Sequence, residues 1–385
     1  MVDYKDEQQL AHTFALNYEC LNPADPTDAL ALACLVRAAC FAPDEPIPRE
    51  LLLATLELRS DRQLQLDALR RLQELGLLQP AADDTLILHR LPGTLVQQAV
   101  GQAAADGQAS PLDTAREAVA KVVQAEAERL NQTGRPEPLL AWQPQLWALA
   151  EAAAARRSEA AAGLYNELGH HLWMLADYAG ARAAYAQALT LDETLFGSDH
   201  PTVAIDANNL GSVLRDLGDL HGAQTALQRA LAIDEARSGP DHFNVAIDAN
   251  NLGMVLQDLG DLSGAQAAYA RALAIDEAYF GPTHPQVARD LNNLGMVLQA
   301  LGNLDEARAA YVRALAIDEA YFGLHHPKVA KYINNLGLLM QELGDLSGAR
   351  AVFERALAIF EQGLGTEHPH TRRVRRNLVN LEQGI

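Results

Sequence analysis

Cysteine, lysine and aromatic side chains are scarce in this 385-residue chain, and positive charge is outweighed by negative. The three cysteines, Cys20, Cys34 and Cys40, lie in one short segment. So odd and sparse a set suggests a reducing compartment, the cytoplasm, and Cys34 and Cys40 read as small buried hydrophobes. The lysines are Lys5, Lys121, Lys328 and Lys331, and none follows a glycine. The Gly-Lys-Ser/Thr element that cradles phosphates is therefore absent, which excludes ATP hydrolysis by that route. Thirty basic against fifty acidic residues give a net charge of −20. That balance argues against nucleic-acid binding through phosphates and favours neutral or basic partners. No apolar run approaches the ~20 residues that span a bilayer, and residues 1–7 lack signal-peptide character. With 49% hydrophobic residues the chain is nonetheless globular.

What the chain has in abundance is repetition. Asn208-Asn209-Leu210-Gly211 returns as Asn250-Asn251-Leu252-Gly253, Asn292-Asn293-Leu294-Gly295 and Asn334-Asn335-Leu336-Gly337, always at the step that separates Asn208 from Asn250. His200, His242, His284, His326 and His368 keep the same step. Each unit predicts two amphipathic helices. Leu210, Gly211, Leu214 and Leu217 share one face of the first. Gly218 stops it, and Asp219 caps the second. Small residues at Ala265 and Ala272, with Tyr269 between them, let the helices approach closely. This order of small and large residues matches the tetratricopeptide pattern, whose usual period is about 34 residues. The period here is longer, and the extra residues lengthen the second helix and its exit. Pro201, Pro285, Pro327 and Pro369 open first helices. Phe243 replaces that proline in one unit, which predicts a looser joint.

The run Gly-x-x-His-Pro-x-Val-Ala…Asn-Asn-Leu-Gly, with Arg-Ala-Leu-Ala-Ile in the second helix, resembles the repeats of kinesin light chain over roughly residues 162–382. The chain is accordingly read as all-α: a right-handed tetratricopeptide-repeat superhelix, preceded by a small winged-helix domain and a helical linker. The expected boundaries are a lead-in at 1–26, the winged-helix-like domain at 27–104 and the linker at 105–161. Five repeats follow at 162–368, then a capping helix at 369–385.

In the N-terminal part, Thr27-Asp28 is expected to cap a helix over 29–41. Asp44–Pro48 breaks it, and helices are expected at 49–58 and 62–75. A hairpin follows over 77–88 and a further helix over 92–104. Arg62, Arg70 and Arg71 on the third helix could touch phosphate, but Asp61, Asp67 and Glu74 lie beside them, so packing is favoured over DNA binding. In the linker, helices are expected over 111–130 and 138–158, with Trp142 and Trp147 packed on the apolar side. This order of parts, with Cys40–Leu52 and Leu86-Ile87-Leu88-His89-Arg90-Leu91, resembles the C-terminal half of STAND-type (NB-ARC) signalling NTPases. There the histidine after the wing contacts bound nucleotide, a role that falls on His89, although Arg90 stands where the plant and animal members carry aspartate. Without an NTPase domain His89 instead packs beside the wing.

Stacked repeats of this kind present an extended concave surface lined by first helices. Asn209, Asn251, Asn293 and Asn335 form its ladder. A carboxamide suits the backbone of an extended peptide, and asparagine does that work in peptide-clamping tetratricopeptide proteins; the competing role is tying neighbouring helices. Met254 and Met296 offer an adaptable apolar floor. Arg289 and Lys331, set against Asp216 and Asp258, make the groove basic toward its C-terminal end, and Arg215, Gln257, Gln299 and Gln341 line its edge. The connector histidines are too far apart to share a metal and read as caps or loop packing. Asp234-Glu235, Asp276-Glu277 and Asp318-Glu319 read as a solvated face. No catalytic set stands out, and neither metal nor cofactor is expected. The expected function is a protein- or peptide-binding sensor and scaffold of a STAND-type signalling protein, with an NTPase domain in the same or another chain and no nucleic acid or membrane partner. A stand-alone adaptor resembling kinesin light chain and a winged-helix transcription regulator are the alternatives.

Overall fold

The computed structural model describes residues 4–56, 61–101 and 110–383. Its contacts divide the chain into two units, Met1–His200 and Pro201–Ile385.

The first unit opens with a helix, α1 (Tyr4–Glu19), inside the stretch expected to be only a lead-in. Next comes α2 (Pro26–Ala38). Its cap is Asp25, which accepts from the backbone of Thr27 and Asp28, so the helix starts earlier than Thr27-Asp28 predicted. Pro26 sits where a missing N–H costs nothing, and Asp28 is buried. Strand β1 (Ile47–Pro48) leads into α3 (Arg49–Ala54); the expected end of that helix, at 57–58, lies outside the described residues. Then follow α4 (Arg62–Glu74), β2 (Gln79–Pro80), β3 (Thr85–Ile87) and α5 (Arg90–Gly101). The hairpin forms as expected, and β1 adds a third strand in antiparallel order β1-β3-β2. Ile47 pairs with Leu86 there, a use of the Pro46-Ile47-Pro48 break that its prolines hide.

The linker comprises α6 (Pro111–Asn131), α7 (Glu137–Leu140) and α8 (Gln143–Ala155). Trp142 is buried as expected, but Trp147 is 39% exposed. Its indole N–H donates to Glu151 at 2.8 Å, a polar partner one helical turn away that the apolar-face expectation did not include. Gln145 is buried and joins the linker to the turn before β1. Its amide nitrogen donates to the carbonyls of Glu45 (3.0 Å) and Pro46 (3.2 Å), and its oxygen accepts from Ala42 N–H at 2.7 Å. The pair α9 (Ala160–Met174) and α10 (Tyr178–Phe196) completes the unit.

The second unit is a strict alternation. First helices α11 (Pro201–Asp216), α13 (Phe243–Asp258), α15 (Pro285–Ala300) and α17 (Pro327–Glu342) each have 16 residues. Second helices α12 (Leu220–Ser238), α14 (Leu262–Phe280), α16 (Leu304–Phe322) and α18 (Leu346–Leu364) each have 19. The final helix, α19 (Pro369–Gln383), packs on α18. Side chains of Asp219, Asp261 and Asp345 accept the N–H groups of Gly222, Gly264 and Gly348 and so cap second helices. Each second helix ends in a left-handed glycine, Gly281 with φ 87° being typical, a conformation that costs glycine little.

Between the helices of a pair, Tyr269, Tyr311 and Phe353 are almost wholly buried. The connector histidines cap first helices: Nδ1 of His242, His284 and His326 accepts the backbone N–H two residues on, at 3.2–3.3 Å. At the Phe243 joint the local backbone geometry is unchanged. His242 and His284 have nearly the same backbone angles, and the Phe243 ring fills the gap beside His242 and Tyr279, with centroids 4.5 and 5.3 Å away.

Candidate functional site

Successive first helices of the second unit touch one another: α11 meets α13, α13 meets α15, and α15 meets α17. Their common face carries an exposed apolar side chain from each helix, namely Ile205, Ile247, Met296 and Leu338. Met254 is half-buried, with its sulfur 3.6 Å from Arg215 Nη1.

Beneath this row runs a continuous hydrogen-bonded ladder. Asn251 Nδ2 donates to Asn208 Oδ1 (2.8 Å), Asn293 to Asn250 (3.3 Å), Asn335 to Asn292 (2.8 Å) and Asn377 to Asn334 (2.9 Å). The second asparagine of each pair thus reaches back to the first asparagine of the preceding repeat. The first asparagine then reaches forward. Asn208 donates to Asp248, and Asn250 donates to Asp290 at 2.7 Å. Tyr332 and Val374 occupy the next two equivalents of those aspartates. There Asn292 and Asn334 turn to their own neighbours, Asn293 (3.3 Å) and Asn335 (3.5 Å). One N–H each of Asn251, Asn293 and Asn335 is spent on this ladder, while these residues, and Asn209, remain half-buried rather than sealed.

The matching family model is the tetratricopeptide repeat, found at residues 159–236, 205–278, 245–320 and 290–362, together more than half of the chain. The chain belongs to the tetratricopeptide-repeat family. Among solved structures it is similar to BtubC (BKLC) from P. vanneervenii, with 24% identity over 65% of this chain and 94% of that one, TM-score 0.49. It is also similar to a protein of Podosopora anserina named for kinesin light chain, with nearly identical TPR-like repeats: 20% identity over 52% of this chain and 95% of that one, TM-score 0.46. None of the curated proteins matches.

The acidic pairs at the ends of the second helices of these tetratricopeptide repeats are not a solvated face. Asp234, Asp276 and Asp318 are 3%, 2% and 1% exposed. Only the glutamates reach the surface, where Glu277 pairs with Arg313 (2.5 Å), Glu319 pairs with Arg355 (2.6 Å) and Glu235 pairs with Arg271. Each buried aspartate lies at the junction with the next tetratricopeptide repeat. Across the junctions stand Asp248, Asp290 and Tyr332, which occupy one position of successive repeats. Burial raises the carboxyl of Asp248 to about 7, against the hydrogen bond from Asn208, and the nearby Asp234 and Glu235 push in the same direction. Asp290 is raised for the same leading reason. The recurrence of Asp206, Asp248 and Asp290 from repeat to repeat was the signal available in the sequence, but it sits inside the conspicuous Asn-Asn motif.

Arg289 lies on this acid layer rather than free in the groove: its guanidinium donates to Asp290 at 2.9 and 3.0 Å and to Asp276 at 3.4 Å. Lys331, one repeat on, is exposed, yet desolvation still lowers its ammonium pKa, with Arg373 adding to the effect. It lines a pocket of about 420 Å³ together with Arg289, Lys328, Tyr321 and Tyr332. The edge residues are engaged within and between repeats. Arg215 pairs with Asp258, Gln257 accepts from Tyr269 at 3.3 Å, and Gln299 accepts from Tyr311 (3.2 Å) while donating to Glu342 (2.7 Å). Gln341 is half-buried.

In the first unit, His89 uses both ring nitrogens, Nδ1 with Asp44 (2.9 Å) and Nε2 with Gln79 (3.1 Å). It thereby joins the turn at Asp44 to the hairpin. The arginines of α4 are likewise engaged: Arg62 with Glu50, Arg70 with Asp67 (3.0 Å) and Arg71 with Asp28 (3.1 Å). Cys34 is buried and Cys40 nearly so, and burial lifts their thiols to about 12 and about 11. Such thiols stay protonated and unreactive at neutral pH. Among the described residues no group of three or more His, Cys, Asp or Glu is placed to hold a metal, and no helix is long and apolar enough to cross a membrane.

Proposed function

We propose that this chain is a non-enzymatic, protein-binding scaffold whose ligand, an extended peptide segment, lies along the first-helix face of the tetratricopeptide repeats. The observation that carries this reading is the row Ile205, Ile247, Met296 and Leu338 standing exposed beside the half-buried asparagines. Ile205 and Ile247 share one repeat position, and Met296 and Leu338 share another two helical turns further along the same helix face; exposed apolar side chains grouped on one face mark an interaction site. A carboxamide that spends one N–H on the ladder keeps another N–H and acceptor capacity for a partner's backbone. The two roles weighed for these asparagines, tying helices and meeting peptide, are thereby compatible.

The first unit supports a winged-helix module serving as a packing element. Its helix–strand–helix–helix order, its hairpin and the added β1 strand fit that architecture. The carboxylate partners of Arg62, Arg70 and Arg71 favour packing over DNA. The wider setting is a cytoplasmic STAND-type signalling protein whose NTPase domain receives the signal. There the Asp44–His89–Gln79 bridge would have to open for His89 to meet nucleotide.

The test uses a peptide selected on the wild-type protein from a random library. Asn251→Ala combined with Asn293→Ala weakens its binding at least tenfold while helicity is unchanged. Undiminished affinity in the double variant overturns the groove assignment. An immunoblot of the producing cell addresses the wider setting: a band well above the mass of this chain supports an attached NTPase domain, and a band at that mass favours the adaptor.

A further inference from the structure

Three successive repeat junctions of the second unit show one sequence position in three states. Ile247, Arg289 and Lys331 are equivalent, each one full repeat from the next. At the α14–α15 junction, the Arg289 guanidinium rests on the carboxylate pair Asp276 and Asp290. At the α16–α17 junction there is no acid pair: Asp318 bonds the Tyr332 hydroxyl, with the charge of Lys328 nearby. At the α12–α13 junction the acid pair is present, Asp234 and Asp248, but the place of the guanidinium falls to Ile247.

That pair is buried, with each residue 3% exposed. Asp234 is bonded by Asn244 and Asp248 by Asn208, yet Asp234 Oδ1 and Asp248 Oδ2 take no hydrogen bond from the described residues. Asp290 Oδ2 and Asp318 Oδ1 are open in the same way, but Asp276, the counterpart of Asp234, and Asp290 both receive Arg289. Both carboxylates line an open-mouthed cavity of about 150 Å³, with Asn208, Asn209 and Asn244 as further polar walls and Ile205 and Ile247 as apolar ones. Cavities of about 150 Å³ take a molecule the size of benzene, and a guanidinium is smaller. A carboxyl that burial drives toward its neutral form is held ionised by a cation brought beside it, and a planar guanidinium can meet two acceptors at once.

We propose that the cavity at the α12–α13 junction receives the guanidinium of an arginine side chain from the bound partner, which takes there the place that Arg289 fills from within at the next junction. This rests on the groove reading above and adds a required residue to the ligand: an arginine flanked by residues that pack on Ile205 and Ile247. The chain's net charge of −20 favours such a basic partner.

The probe is N-acetyl-L-arginine amide, with N-acetyl-L-lysine amide as the control, read by side-chain amide shifts of Asn208, Asn209 and Asn244 in NMR titrations of the whole chain. The arginine probe shifts these resonances and saturates. Asp248→Asn weakens it at least tenfold, and Ile247→Arg abolishes it by supplying the guanidinium internally. Arg289→Ile opens the second acid pair and raises the stoichiometry from one to two. Three outcomes overturn the proposal: no saturable shift in wild type, equal binding of the lysine probe, or undiminished binding in Asp248→Asn. Because the probe carries the backbone of a single residue, too short to run along the Asn251/Asn293 ladder, and the lysine control carries the same backbone, its result is separable from the Asn251/Asn293 test. The pocket can fail while the groove stands, and the reverse.

Discussion

A Cβ built on Gly295 would lie 2.8 Å from the ring edge of Tyr311. In three of the four Asn-Asn-Leu-Gly motifs the glycine is therefore the floor on which the buried aromatic of the second helix rests, while Gly211 faces Leu227 instead. Gly253 under Tyr269 and Gly337 under Phe353 repeat the contact. Tyr311 is about 1% exposed and cannot swing into solvent without vacating the core. Gly295→Ala gains a little helix propensity but overpacks this contact, so a net loss of about 1–3 kcal/mol is expected. Urea unfolding of Gly295→Ala, Tyr311→Leu and the double variant checks it. A loss that is smaller in the Tyr311→Leu background than in wild type places the strain at this contact, whereas equal losses in both backgrounds remove the explanation.

The buried acid layer gives stability an unusual pH dependence. The folded-state pKa of Asp248, about 7, stands above the ordinary aspartate value. Between roughly pH 4 and 7 the folded chain therefore holds a proton that the unfolded chain has released, and this contribution to stability falls as pH rises through that window. The groups facing Asp248 are Asn208 from α11, together with Asp234 and Glu235 from α12, and Asp234 in turn feels His242. Asp248→Asn keeps an acceptor for Asn208 and removes the ionisation. The variant should match wild type at or below about pH 4 and exceed it by at least about 1 kcal/mol at pH 8, with the gain appearing across the window. A gain independent of pH would contradict the assigned ionisation. Comparing variant with wild type at each pH cancels the other titrating groups.

The repeat architecture was legible because its signals are local and periodic. Glycine stops, aspartate caps, proline starts and small-large alternation recur from unit to unit, and α11–α18 follow them closely. The histidine caps were legible for the same reason. What was illegible depends on pairs distant in sequence. Asp234 and Asp248 look like surface charges until two helices bring them together, and Asp234-Glu235 divides into one buried and one exposed acid only because the helix end meets its neighbour. Gln145 binds backbone groups about a hundred residues away, and no composition or spacing marks it. Strand β1 follows one proline and contains another, and the pairing that Pro46-Ile47-Pro48 discourages locally is supplied by its partner β3.

Arg71 offers the last prediction, because it separates packing from nucleic-acid recognition on α4. Its guanidinium nitrogen Nε lies 3.1 Å from Asp28 Oδ1, and Asp28 is only 8% exposed. The Asp28 carboxyl is held below its usual pKa, first by the backbone N–H of Asn22 and then by Arg71. Removing the cation leaves a mostly buried anion with the Asn22 hydrogen bond alone. Arg71 itself is partly solvated, so the full cost of a broken buried pair is not expected, and Arg71→Met should lose about 1–2 kcal/mol at pH 7 in urea unfolding. Since the Asp28 pKa is depressed in the folded state, that loss should fade as pH falls below about 4 and Asp28 is protonated in both states. A DNA-reading helix would behave otherwise: wild type would give a salt-sensitive mobility shift with duplex DNA, abolished by Arg70→Ala with Arg71→Ala. With Arg62, Arg70 and Arg71 each facing a carboxylate, the expected result is no shift, and a specific, salt-sensitive one would return the regulator reading to first place.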